Sequence, residues 1–246
     1  MTILPAHDMP DDYDWLPGSA RFPLSDLGEL AARLKSPDTF DRRGDVLWMD
    51  VGDKGLGSYA YSYFGVGSSV MVLATYALHG SYALWLTAGS TLSCNAALSK
   101  MLANSSMLRA GLEIAFCLLS PALYFRTRLI YFIGTQQLDV NIRYNFATTA
   151  LEYQGSDGVF YAFATVGQLD NPYGIYHHLK LVVDFTIGHY VRCLFNDIEY
   201  DLSAHAVRTA PFVGVSHYEL WVVQEGRPLN NDQAIIGHVI MTGNEP

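Results

Sequence analysis

Between Tyr176 and Ser203 the sequence reads YHHLKLVVDFTIGHYVRCLFNDIEYDLS, and its alternation leaves little choice of structure. Leu179, Leu181, Val183 and Phe185 are apolar while His178, Lys180 and Asp184 sit between them, the two-residue period of a half-buried strand. A three-residue loop, Thr186–Gly188, with Gly188 left-handed in a bulge, predicts Val183 opposite Val191, Leu181 opposite Cys193 and Leu179 opposite Phe195. A one-residue slip would set Arg192 beside Val183 and turn one apolar set to the wrong face. Asn196-Asp197 then suits a two-residue type I′ turn, pairing Phe195 with Ile198, Cys193 with Tyr200 and Val191 with Leu202. Arg192 and Asp201 fall opposite each other on the polar face. Three such strands need a second layer over their apolar side, so the expected unit is half of a β-sandwich.

The rest of the chain reads as more short strands. Val46–Val51 is one, closed by the turn-rich Gly52–Gly55, and Tyr59, Tyr61 and Tyr63 alternate with small residues in a strand-like but ambiguous segment. Val70–Leu78 and Ser81–Ala88 flank His79-Gly80 as a hairpin. Ser93–Leu102 reads as one or two helical turns, and Leu112–Leu118 as a strand ending before Pro121. Further strands are expected at Leu123–Ile133, Val140–Phe146, Ala150–Gln154, Val159–Thr165, Tyr218–Val223 and Ala234–Thr242, divided by Gly-rich and polar turns. Residues 1–23, rich in Asp and Pro, are expected to form an irregular arm, and Leu24–Leu34 a short amphipathic helix. The predicted class is all-β: a two-sheet antiparallel sandwich or jelly roll over residues 24–246, with one or two short helices.

Composition excludes several functions. A formal charge of −9 with only 15 Lys and Arg, and no basic run, argues against nucleic acid as a partner. The most apolar run, Ala110–Phe125, contains Glu113 and Pro121 and leads into Arg126 and Arg128, so no membrane span or membrane partner is expected. Cys94, Cys117 and Cys193 have no CxxC spacing, and neither a disulfide framework nor a zinc site is indicated. The N-terminus lacks both a basic and an apolar signal region, which places the expected location in the cytoplasm or in a virion assembled there.

The run HHLKLVVDFTIGHYVRCLFNDIEYDLS resembles strands of the concanavalin A-like lectin/glucanase superfamily, and GSYALWLTAG is similar to a strand of jelly-roll carbohydrate-binding modules. The resemblance covers roughly forty residues and is structural, shared by lectins, laminin-G-like modules, hydrolases and lyases. It implies a glycan-related role. Neither the ExDxE strand of the retaining glucanases nor the R-x-E-x-R and QIH motifs of alginate-lyase relatives occurs in the sequence.

Alternation projects a set of polar groups from these strands: Arg126 and Arg128 beside Tyr124, then Asn141, Arg143 and Asn145, then Glu152, and on the meander His178, Lys180, Asp184, Tyr190 and Arg192. On one face they would suit a sugar, whose hydroxyls need donors and acceptors and whose C–H faces stack on aromatic rings. Three arginines would favour an acidic sugar. The competing reading makes Arg192–Asp201 and Arg143–Glu152 ion pairs on a solvated face, worth only ~0.2–1 kcal/mol each. Glu113, Glu152 and Asp184 are the strand carboxylates, and nothing in their spacing brings two together for acid/base chemistry. His177, His178 and His189 have the chemistry of a lyase base or metal ligand, but adjacent strand histidines face opposite ways. No metal or cofactor is required, although Trp48, Asp50 and Gly52-Asp53 offer a setting for a structural Ca²⁺ ion. The leading expectation is a glycan-recognising jelly roll that partners carbohydrate and assembles as a homo-oligomer. The alternatives are an intracellular glycoside hydrolase or polysaccharide lyase of the same fold, and a structural virion or assembly protein.

Overall fold

A computed structural model describes residues 41, 43–78, 81–103, 108–170 and 174–246. The chain divides into two units, Met1–Thr39 and Phe40–Pro246, and the sandwich is the second. The arm at residues 1–23 and the helix at Leu24–Leu34 lie outside the described residues, as do His79 and Gly80.

Sixteen strands follow one another along the described chain. The first five are β1 (Asp45–Asp50), β2 (Ala60–Phe64), β3 (Ser69–Leu73), β4 (Ala83–Ala88) and β5 (Asn95–Ala103). Next come β6 (Arg109–Leu118), β7 (Tyr124–Phe132), β8 (Gln136–Asn145), β9 (Ala150–Gln154) and β10 (Phe160–Thr165). The meander supplies β11 (His177–Asp184), β12 (His189–Phe195) and β13 (Ile198–Asp201). The last three are β14 (Arg208–Pro211), β15 (His217–Glu225) and β16 (Asp232–Gly243). They form two antiparallel sheets of eight. The first runs β13-β12-β11-β6-β16-β4-β3, with β1 beside the C-terminal half of β16. The second runs β10-β9-β8-β7-β15-β5-β2, with β14 beside the N-terminal half of β8.

The alternating apolar positions of both sheets meet between them. Leu112, Ile114 and Phe116 of β6 and Leu179, Leu181 and Val183 of β11 face Leu129, Val140, Ile142, Leu220 and Val222 of the other sheet. Phe116 stacks on Phe125 across the gap, with ring centroids 4.4 Å apart. Cys117 and Cys193 are buried on strands, where they pack as small apolar residues.

The meander reproduces most of its predicted register. Leu179 faces Phe195, Leu181 faces Cys193, and Cys193 faces Tyr200 in turn. Gly188 is left-handed at φ 67°, and Asn196 at φ 52°. One detail differs. Asp184 pairs with His189 around a four-residue loop, and the irregularity falls between Val182 and Val183, which sets Val183 opposite Tyr190 rather than Val191. A bulge flips parity beyond it. Tyr190 therefore points into the core, where its hydroxyl donates to the Gln154 carbonyl (2.9 Å), lies 3.2 Å from the Asn141 carbonyl and accepts from the Asn141 N–H (3.1 Å). Burial pushes this phenol well above its ordinary pKa.

The helical turns expected at Ser93–Leu102 are strand β5. Ala, Leu, Met and Lys favour a helix in isolation, but here the segment pairs with β15 on one side and β2 on the other, and tertiary pairing overrides propensity. The hairpin around His79-Gly80 is present as β3 paired with β4, with shorter strands than expected. Among the described residues no helix is long and apolar enough to cross a membrane.

Candidate functional site

The outer face of the second sheet holds four of the nine candidate residues. On β7, Phe125, Thr127 and Leu129 turn inward, so Tyr124, Arg126 and Arg128 must turn outward. Arg126 lies opposite Arg143 of β8 on one side and Val223 of β15 on the other. Arg143 in turn lies opposite Glu152 of β9. Arg128 lies between Asn141 and Trp221, and Trp221 opposite Ser99. Beyond β15, Val223 faces Ala97 and Ala97 faces Ser62 of β2.

Two arginines directly opposite each other would repel unless each had its own carboxylate. Each has one. Arg126 Nη2 lies 2.9 Å from Glu225 Oε1, and Arg143 Nε 2.6 Å from Glu152 Oε2. Arg128 grips Asp139 with two parallel bonds of 2.6 and 2.7 Å. Arg143 is also clamped between two rings, its guanidinium carbon 3.9 Å from the centroid of Tyr124 and 3.8 Å from that of Phe160. Glu152 takes a further bond from Asn145 Nδ2 at 2.9 Å. Arg143 and Glu152 thus form a fixed polar column.

Beside that column the sheet is open. Ser62, Asn95, Ala97, Arg126, Arg128, Trp221 and Val223 line a depression of about 200 Å³. The small side chains of Ser62 and Ala97 leave room over the strands, and Trp221 supplies an aromatic surface between the two arginines and the edge. Trp221, Asn95, Ser62, Asp139 and Glu225 join the site only through the fold. Trp221 occupies the outward position of the alternation Tyr218, Leu220, Val222, which is the one signal that marks it.

The other five candidates belong elsewhere. Tyr190 is a core residue, as described above. His178, Lys180, Asp184 and Arg192 lie on the outer side of the first sheet, where Asp184 pairs with Arg109 at 3.0 Å. There Lys180 is fully buried, 2.7 Å from Glu245 and 3.1 Å from Asp41, and it also donates to the carbonyls of Asp41 (3.2 Å) and Arg43 (2.8 Å). Arg192 keeps its predicted backbone pairing with Asp201, but its guanidinium binds Glu245 at 2.8 Å and the Pro246 carbonyl at 2.6 Å. Burial opposes ionisation of Asp41, yet Arg43 and Lys180 hold its carboxyl below the usual range. Gly111 makes the space for this network, since a Cβ there would meet Thr242 Oγ1, Glu245 Oε1 and Lys180 Cε.

Glu113 lies opposite Lys180 and 3.4 Å from His238 Nε2, and burial pushes it up to about 8 and His238 down to about 4. Glu113, Glu152 and Asp184 are spread over two sheets; Glu152 and Asp184 are each paired with an arginine, and Glu113 lies beside the His238 imidazole. The histidines do not converge either. His177 stacks on Phe195, His178 lies beside His238, and His189 Nδ1 contacts the Ser203 carbonyl. Among the described residues no group of three or more His, Cys, Asp or Glu is arranged to hold a metal. In the segment considered for Ca²⁺, Asp50 accepts from the Gly52 N–H, Asp53 from the Ser81 N–H, and Trp48 meets Tyr59 edge to face.

No protein-family model matches the chain, and no curated protein sequence matches it. Solved structures do. A carbohydrate esterase from the Shiga toxin-encoding bacteriophage phi24B matches with a TM-score of 0.51 at 12% identity, over 82% of this chain and 100% of the other. A glycosidic hydrolase gives 0.51 at 10% identity, over 81% and 97%. An endo-1,3-β-glucanase from Streptomyces sioyaensis gives 0.48 at 11% identity, over 84% and 98%. What is shared at such identities is the fold, a two-sheet antiparallel sandwich.

Proposed function

We propose that this protein binds glycans on the outer face of its second sheet, in the depression bordered by Arg126, Arg128 and Trp221, and that the preferred ligand is neutral. The observation that carries the reading is the open depression over Ser62 and Ala97, with an indole on one side and charge-matched arginines beside it. A sugar ring can stack on Trp221 while its hydroxyls bond to Asn95, Ser62 and the guanidinium edges. Because each of the three guanidinium groups already faces a carboxylate, a uronate would gain little that a hydroxyl would not. The depression is small for a drug-sized ligand, which suits one ring of a longer chain laid across the strands. The likeness in fold to a carbohydrate esterase and a glycosidic hydrolase supports a saccharide as the ligand class. Binding is preferred to cleavage, since no carboxylate lines the depression and the carboxylates beside its arginines, Asp139 on Arg128 and Glu225 on Arg126, are engaged in ion pairs.

Calorimetric titration with matched neutral and uronic oligosaccharides tests this. The expected result is saturable binding of a neutral oligosaccharide with little dependence on salt. Absence of binding at millimolar ligand would contradict it, and tight, salt-sensitive binding of uronates alone would overturn the neutral preference.

A further inference from the structure

Six strands are paired on one side only, and they are not equally protected against joining another chain: β1 carries Asp45 and Asp50, and β14 carries Arg208 and Pro211. β13 carries Glu199 and Asp201, and Glu199 is tied to Arg43. β10 is distorted by an irregularity between Ala162 and Ala164. On β3 only Met71 is exposed. β2 has none of these devices: all five of its residues are exposed, it is uncharged, it has no proline, and its pairing with β5 is regular. No strand lies beyond it among the described residues. An exposed, uncharged, regular edge is a template for a further strand.

The side chains of β2 bear on what that strand is. Tyr61 and Tyr63 share the face of Leu98 and Ala96, the core side of β5, yet they are 52% and 56% exposed. They are half of a core layer left uncovered. The sequence Ala60-Tyr61-Ser62-Tyr63-Phe64 is also close to symmetric about Ser62. In an antiparallel two-fold pairing centred there, Tyr61 would oppose the partner's Tyr63 on the core side, and Ser62 the partner's Ser62 on the outer side. A surface that matches itself under a two-fold operation is what an isologous dimer requires. At a net charge of −9, two copies would also meet with least repulsion along an uncharged strand.

We infer that β2 is the contact edge of a homodimer, in which the second sheets of two copies join into one continuous sheet. Since Ser62 lines the depression, the two depressions would lie side by side across the two-fold axis on one surface, and the dimer would present them together to one glycan chain. The inference stands whether or not the depression binds sugar.

Sedimentation equilibrium of the full chain at micromolar concentration, with two pairs of substitutions, tests it. The wild type is expected to have the mass of two chains. Tyr61→Lys/Tyr63→Lys sets like charges opposite each other and is expected to give one chain mass, whereas Tyr61→Lys/Tyr63→Glu sets opposite charges together and is expected to keep the dimer. Ser62→Cys places the introduced thiols at a cross-strand separation of ~4.5–5.5 Å between Cβ atoms and is expected to cross-link on mild oxidation. The native cysteines are buried, so the cross-link reports on position 62. A monomeric wild type, or a dimer that survives Tyr61→Lys/Tyr63→Lys and fails to cross-link through position 62, overturns the inference.

Discussion

Lys180→Met is expected to destabilise the sandwich by about 3–5 kcal/mol, the cost of removing one partner from a buried ion pair. The Lys180 ammonium is fully buried and neutralises Glu245 and Asp41, which are themselves 0% and 5% exposed. Without it, Arg192 still reaches Glu245 at 2.8 Å and Asp41 at 3.7 Å, and Arg43 still holds Asp41, but three cations would have become two, and two ion pairs and two hydrogen bonds to backbone carbonyls would be gone. Against a total stability of roughly 5–15 kcal/mol that is a large fraction. Urea unfolding should show a lower midpoint with an unchanged slope. The double change Lys180→Met/Glu245→Gln should recover part of the loss, because it also removes a carboxylate left without its ammonium. A loss under about 1 kcal/mol for Lys180→Met would mean that the network is solvated rather than buried.

Trp221→Ala is expected to weaken oligosaccharide binding by about 2 kcal/mol, roughly 30-fold in Kd, as truncation of a central aromatic anchor does. The indole is half-buried on the outer face, so the sandwich should still fold, and the unfolding curve of the same variant separates lost binding from lost structure. Trp221→Phe, which keeps a ring, should retain much of the affinity. Calorimetry on the three proteins with one oligosaccharide reads the comparison directly. Binding by Trp221→Ala within about 2-fold of the wild type would remove this residue from the site.

How far the sequence reveals these features depends on how local they are. The meander is legible because its strands are adjacent in sequence and each apolar residue answers to one across a single turn, as in Leu181 opposite Cys193. Arg143 and Glu152, nine residues apart on neighbouring strands, were equally readable as a pair. Arg192 shows where this stops: its strand register with Asp201 could be read, but its guanidinium turns to Glu245, which only the return of β16 brings near. Tyr190 was placed outward by counting alternate residues, and a one-residue bulge at Val191 reverses that count. β5 was misread for a related reason, since Ala96, Ala97 and Leu98 satisfy a helix or a doubly covered strand equally well until β2 and β15 are known to flank it. The depression itself joins residues of four strands, from Ser62 to Trp221, and no local pattern links them.

Glycan binding at the depression is tested by mapping where a bound oligosaccharide perturbs backbone amide resonances of the protein. Shifts are expected to cluster on β2, β5, β7 and β15 around Ser62, Ala97, Arg126 and Trp221, to saturate with ligand and to be absent from the meander of β11, β12 and β13. Shifts confined to the first sheet, or no shifts with any saccharide at millimolar concentration, would contradict it.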